Sequence, residues 1–116
     1  MKPAPFEYQA PAVIEEALSA LAEHGEGAKL LAGGQSLIPA MNFRVVQPAL
    51  LVDLNRLDDL RYVRREDGSL SVGAMTTQRQ LERDPSVAES VPLLAQALPY
   101  IAHPQIRNRG TLGGSL

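Results

Sequence analysis

Residues 30 to 37 read Leu-Leu-Ala-Gly-Gly-Gln-Ser-Leu. An apolar run stops at two glycines, passes through a small polar pair and resumes. This stretch limits what the chain can become. Lys29 to Ala32 reads as a short buried strand, and the polypeptide must then turn at once. Glycine tolerates positive φ and lets a backbone approach another group closely. Ser36 can cap a short helix through Met41 or Asn42, with Pro39 tolerated in its first turn. A helix start presents unpaired N–H groups and a partial positive charge. With Gln35 and Ser36 as further donors, the turn suits a phosphate or diphosphate. A lone Gly-Gly also serves as a plain tight turn.

A second turn, Thr111-Leu112-Gly113-Gly114-Ser115, repeats the pattern of a hydroxyl, two glycines and a hydroxyl. Two cradles suit a diphosphate better than one. No G-x-x-x-x-G-K-[ST] occurs, which excludes a Walker-type loop, and no G-x-G-x-x-G supports a Rossmann fingerprint.

The remaining pattern is that of a small α/β protein. Residues 11 to 24 carry Ile14, Ala17, Leu18 and Leu21 at helical spacing, with Pro11 in the first turn and Gly25 at the end. Leu50 to Leu54 is a second apolar strand, so the first half alternates helix and strand as parallel pairing requires. Arg61 to Arg65 and Ser69 to Gly73 flank an Asp67-Gly68 turn and read as a hairpin. Thr77 caps a helix containing Leu81 that ends near Asp84-Pro85. Ser90 begins another, with Pro92 early and Leu93, Leu94, Ala97 and Leu98 on its face, and Pro99 ends or kinks it. Residues 103 to 115 read as a polar, glycine-rich stretch. Leu18, Leu21, Leu31, Leu51, Val52, Leu81 and Leu94 are core candidates.

Composition narrows the function. The 116 residues suffice for a modest core, and the formal net charge of −2 offers no basic field for nucleic acid. Cysteine is absent, which excludes disulfides, thiolate nucleophiles and iron–sulfur clusters held by this chain. His24 and His103 show no ligand spacing, so no metal site is expected. The N-terminus lacks a signal peptide's apolar core, and no window is long enough for a membrane span, so the cytoplasm is the expected compartment. A glycine-rich turn is a poor place to finish a domain, and the chain is expected to be part of a larger protein.

The strings LLAGGQSLIPAMNFR, LLVDLNRL, LSVGAMTT and IAHPQIRNRGTLGGSL, in this order and spacing, closely resemble the FAD-binding medium subunit of the molybdenum hydroxylases, the carbon monoxide dehydrogenase and xanthine dehydrogenase family. The likeness covers the N-terminal part of that subunit. It implies an α/β (α+β) chain with the FAD-binding type-2 fold, like that of vanillyl-alcohol oxidase (PCMH-type). Residues 1–56 would form a small α/β subdomain with the first diphosphate loop. Residues 57–116 would begin a second subdomain carrying the second loop, truncated relative to the family. The resemblance implies non-covalent FAD contacts from Leu30, Leu31, Ala32, Gly33, Gly34, Gln35, Ser36 and Leu37, and from Thr111, Gly113, Gly114 and Ser115, with Ile101 packing near the cofactor.

The family's proteins oxidise substrate at a molybdopterin subunit, carry electrons through the [2Fe-2S] clusters of a second subunit, and deliver them through FAD to NAD⁺ or a quinone. They form dimers of heterotrimers. The resemblance thus implies an oxidoreductase subunit with those two partner chains, and no catalytic acid, base or nucleophile. Arg107 and Arg109 are expected on a solvated loop anchored by salt bridges. His103 would orient the second loop, Thr76 and Thr77 would cap a helix, and Asp53 and Asn55 would satisfy turn hydrogen bonds. Two other readings stay open. One is a non-catalytic module that binds partner subunits without flavin. The other is a domain for a different phosphorylated ligand, which a nucleotide lacking isoalloxazine would occupy.

Overall fold

Leu50, Leu51 and Val52 are at most 2% exposed, an uninterrupted apolar triplet that only a strand covered on both faces can hide. The structure, a computed structural model describing residues 2–116, makes them the central strand of a three-stranded parallel sheet. The strands are β1 (Glu7–Gln9), β2 (Ala28–Leu31) and β3 (Leu50–Asp53), in the order β1-β3-β2. Tyr8 pairs with Leu51 on one side, and Leu31 with Asp53 on the other. All three residues of β1 are exposed and two are polar, so no apolar alternation marked it as a strand.

Helix α1 (Ile14–His24) packs on β2 and β3 through Ala17 and Ala20, small side chains that allow close approach. Glu15 and Glu16 sit favourably in its first turn. It starts later than the spacing predicts, because Val13 is still extended (φ −133°, ψ 152°) and leaves Pro11 outside. Gly25 has φ +54° and its N–H bonds the Leu21 carbonyl, so it ends the helix as expected. Leu18 corrects one core assignment. It is 60% exposed, because the buried stripe runs through Ala17 and Ala20 instead. After β2 comes α2 (Leu37–Asn42).

The chain divides into two units, one ending at Leu57 and one running Asp58–Leu116. The second begins with the hairpin β4 (Val63–Glu66) and β5 (Ser69–Val72), antiparallel in register Val63↔Val72. Asp67 (φ +45°) and Gly68 (φ +81°) give the tight two-residue turn that fits right-handed strand twist. Five short helices follow: α3 (Gln78–Arg83), α4 (Pro85–Ser90), α5 (Pro92–Ala97), α6 (Pro104–Arg109) and α7 (Leu112–Ser115). Thr77 and Gln80 form a capping box on α3, and Asp84 caps α4. Prolines open α4, α5 and α6, where a missing N–H costs nothing. Leu81, Val87 and Leu98 are buried together, with Val63, Val72, Leu94 and Ile101 packed against them.

Two expectations change here. Ser90 closes α4 rather than opening a helix, since Pro85 starts one earlier and Val91 separates α4 from α5. Residues 103 to 115 are not an irregular stretch but hold α6 and α7. Only Ile106 of α6 is apolar, so no hydrophobic period announced it.

Gly73 and Gly68 separate steric from conformational demand. A Cβ on Gly73 would lie 2.2 Å from the Leu60 carbonyl oxygen, whereas one on Gly68 would meet nothing within 4 Å. Gly73→Ala should destabilise by about 3 kcal/mol. Gly68→Ala, which strains φ alone, should cost about 1 kcal/mol. Chemical denaturation of the two variants measures the difference.

Candidate functional site

Strand β2 delivers the first glycine turn. Leu54 N–H bonds the Leu31 carbonyl (3.1 Å), which fixes where β2 stops. Gly33 (φ +93°) and Gly34 (φ +81°) then reverse the backbone in the left-handed region. Gly34 is also short of space, because a Cβ there would lie 3.0 Å from Leu31 Cδ1 and 3.2 Å from Ile38 Cγ1. The Gly34 carbonyl accepts from Ile38 N–H (3.2 Å). No described residue accepts a hydrogen bond from the amides of Gly33, Gly34, Gln35, Ser36 or Leu37. Consecutive free donors beside two left-handed glycines offer the donor chemistry that an anion requires.

Ser36 and Gln35 differ from expectation. Ser36 occupies the position before α2, but its backbone is already helical (φ −105°, ψ −40°) and its side chain makes no cap bond. Gln35 Nε2 turns back to the Gly33 carbonyl (3.5 Å). The donors of this turn are therefore main-chain amides, and α2, only six residues long, adds little dipole. Leu31, Ala32 and Leu37 are half-buried around the turn, and Leu30 is exposed.

The second turn is built differently, which corrects the idea of two equivalent cradles. It forms the one-turn helix α7, and neither Gly113 nor Gly114 has positive φ. Its amides are used within the chain. Leu112 N–H donates to Thr76 O (3.0 Å), Gly113 N–H to Ala74 O (2.9 Å) and Ser115 N–H to Thr111 O (3.3 Å). Gly114 N–H donates to the Thr111 hydroxyl (3.0 Å). Glycine at 113 serves close packing, since a Cβ would lie 2.8 Å from the Ala74 carbonyl oxygen. Thr111 is buried, while Gly114 and Ser115 are exposed. The outward donor left here is the Ser115 hydroxyl, whose oxygen accepts from Gln78 Nε2 (2.7 Å).

Ile101 packs beside Leu98, and its carbonyl accepts from Arg107 Nη1 (3.0 Å). Ala102 follows at φ +48°. Arg107 corrects the solvated-loop expectation. It is 7% exposed and reaches Glu82 Oε1 (2.9 Å) and the carbonyls of Pro99 and Ile101. Arg109 is exposed. His103 Nδ1 meets Gln105 Oε1 (2.8 Å) instead of the second turn. Thr77 caps α3, but the buried Thr76 hydroxyl donates to Tyr62 O and accepts from Tyr62 N–H, both at 3.1 Å. Asp53 accepts from Asn55 N–H (2.9 Å), the expected local turn. Sequence reading missed its second partner, the Tyr8 hydroxyl, because Tyr8 sits on the unrecognised β1.

The fold is an α/β layer with a glycine turn of unpartnered amides, followed by a hairpin-and-helix unit carrying a second glycine segment. Residues 4–116 match the family described as the FAD binding domain in molybdopterin dehydrogenase, and the chain belongs to that family. It is 47% identical over 116 residues to the 6-hydroxypseudooxynicotine dehydrogenase complex subunit alpha of Paenarthrobacter nicotinovorans. It is 48% identical to the carbon monoxide dehydrogenase medium chain of Hydrogenophaga pseudoflava. Both alignments cover all of this chain, but 39% and 40% of those proteins. The solved carbon monoxide dehydrogenase from Hydrogenophaga pseudoflava superposes with a TM-score of 0.94 at 49% identity, over 98% of this chain and 40% of that one. Quinoline 2-oxidoreductase from Pseudomonas putida 86 gives 0.93 at 47% identity, over 99% of this chain and 40% of that one. The fold is thus the FAD-binding PCMH type.

The hydrogen bond from Tyr8 raises its hydroxyl pKa above the ordinary 10.0, chiefly because Asp53 accepts the phenol proton and secondarily through burial and the Asp53 charge. A pKa raised in the folded state means that this contribution to stability is complete below pH 10.0 and disappears as pH rises through the raised value. Asp53→Asn should move Tyr8 ionisation to lower pH, read by ultraviolet titration of tyrosinate.

Proposed function

We propose that this chain is the FAD-holding N-terminal part of the electron-transfer subunit of a molybdenum-containing oxidoreductase. The observation that carries this is the family match over residues 4–116. The first glycine turn fits the cofactor: its free amides, Gly33 to Leu37, suit a diphosphate, and Gly34 holds a left-handed φ in close contact with Leu31 and Ile38 that a side chain would disturb. In this reading Leu30 to Leu37 line the diphosphate, Thr111, Gly113, Gly114 and Ser115 add a second set of contacts, and Ile101 packs near the cofactor.

FAD held by these residues would supply redox chemistry between the [2Fe-2S] clusters of one partner chain and an acceptor such as NAD⁺ or a quinone. The residues of this chain bind and orient the cofactor, and substrate oxidation belongs to a molybdopterin partner chain. Relatives bear names such as "medium chain" and "complex subunit alpha", which supports a multi-chain assembly. We place that assembly, a dimer of heterotrimers, in the cytoplasm. Among the described residues, no helix is long and apolar enough to cross a membrane. Residues 1–56 are the small α/β subdomain of this scheme, and residues 57–116 begin the second.

FAD titration followed by visible absorbance tests the reading on this chain and on one extended to the length of its relatives. Flavin absorbance should appear with the extended chain. Gly34→Ala should weaken FAD binding by about tenfold or more, because a non-glycine residue in the left-handed region costs about 1–2 kcal/mol. An extended chain that stays colourless at saturating FAD fails the reading and leaves the non-catalytic partner-binding module. FAD and a nucleotide lacking isoalloxazine competing equally would point to another phosphorylated ligand.

A further inference from the structure

Gln78 opens α3 and is 4% exposed. Its backbone N–H donates to the Gly110 carbonyl (2.8 Å), and its side-chain Nε2 donates to Ser115 Oγ (2.7 Å). One residue thus holds both ends of the second glycine segment. Its Oε1 is buried and accepts from no described residue. That oxygen lies beside Gly110, where a Cβ would sit 3.0 Å from it. Gly110 has an ordinary φ of −60°, so glycine supplies space at this position rather than conformational freedom.

A buried carbonyl oxygen without a donor is costly and calls for a reason. The orientation of the amide supplies one. A serine hydroxyl has a single proton and two lone pairs. With Gln78 Nε2 on a lone pair, and no described residue accepting the proton, Ser115 presents a donor outward. Turning the amide over would pair the oxygen but draw the serine proton inward. A diphosphate oxygen only accepts, so the observed orientation is the one that fits it. Resting on the FAD reading above, we propose that Gln78 is a positioning residue that fixes Ser115 as a hydrogen-bond donor to the FAD diphosphate.

The test is a double-mutant cycle on FAD affinity, with Gln78→Met, Ser115→Ala and the pair. Methionine has similar length and donates nothing. Each single change should weaken FAD binding about five- to tenfold, and the pair no more than either alone. Losses that multiply, or a folded Gln78→Met chain that binds FAD as the wild type does, overturn the proposal. Thermal melting reports whether each variant folds. A second measurement needs no variant. In an NMR titration of the wild type, the Gln78 side-chain amide signal should shift with FAD and stay still with riboflavin, which lacks the diphosphate. No shift with FAD, or equal shifts with both, overturns the proposal. These measurements use the chain extended to the length of its relatives, and an extended wild type that takes up no FAD overturns the underlying site reading and the proposal with it.

Discussion

The hydrogen bond from Leu54 N–H to the Leu31 carbonyl, beside the register Leu31↔Asp53, decides where β2 ends. The rest of the first site depends on it. β2 lies at the sheet edge with Lys29 and Leu30 exposed, not as the buried strand the sequence suggested, and its pairing with β3 ends at Leu31. Strand β3 is the central strand, fully covered and paired on both sides, and therefore the least free to slip. It presents the end of β2 at a fixed place. Gly33 and Gly34 then take φ values that almost any other residue would resist, and five successive amides emerge without internal partners. These free amides follow from sheet register first and glycine second.

The two glycine segments look alike in sequence and differ in chemistry. In the first, glycine is needed for conformation, because both residues are left-handed. In the second, Gly113 is needed for contact, because the Ala74 backbone lies where a side chain would be. Whether a glycine amide is free depends on what lies opposite it. Across from Gly113 is the Ala74 carbonyl, in the turn after β5, which takes its proton, while no described residue accepts from Gly34 N–H. That difference moves the donor role of the second segment from main chain to the Ser115 side chain.

The elements with local signals were legible: the Asp67-Gly68 hairpin, the Thr77 cap, Gly25 at the end of α1 and the apolar β3. Strand β1 was not, because three exposed residues form a strand only by pairing with β3, a contact far away in sequence. Leu18 misled because helical spacing identifies a stripe but not which neighbour covers it. Helix α6 was invisible for a different reason. It is held by a buried arginine bonded to Glu82 and two carbonyls, and a charged residue reads as solvent-exposed until its partners are known. The glycine strings of the site were plain, but free and bonded amides are indistinguishable in sequence.

The buried polar side chains among the described residues, Thr76, Gln78, Arg107 and Thr111, all lie in the Asp58–Leu116 unit. Three of these side chains bond main chain, Thr76 at Tyr62, Arg107 at Pro99 and Ile101, and Thr111 at Gly114, while the Gln78 amide bonds the Ser115 hydroxyl. The unit has one two-stranded ladder and short helices, so many backbone groups lack regular partners. Side chains take over that pairing. Apolar packing tolerates small slides, whereas a hydrogen bond weakens steeply once its geometry is lost. Segments that need exact placement but carry little apolar surface, such as 99–102 and 110–115, are therefore better held by polar anchors. The same requirement explains why the anchors are buried: in water their bonds would compete with solvent, and the segments they hold would drift.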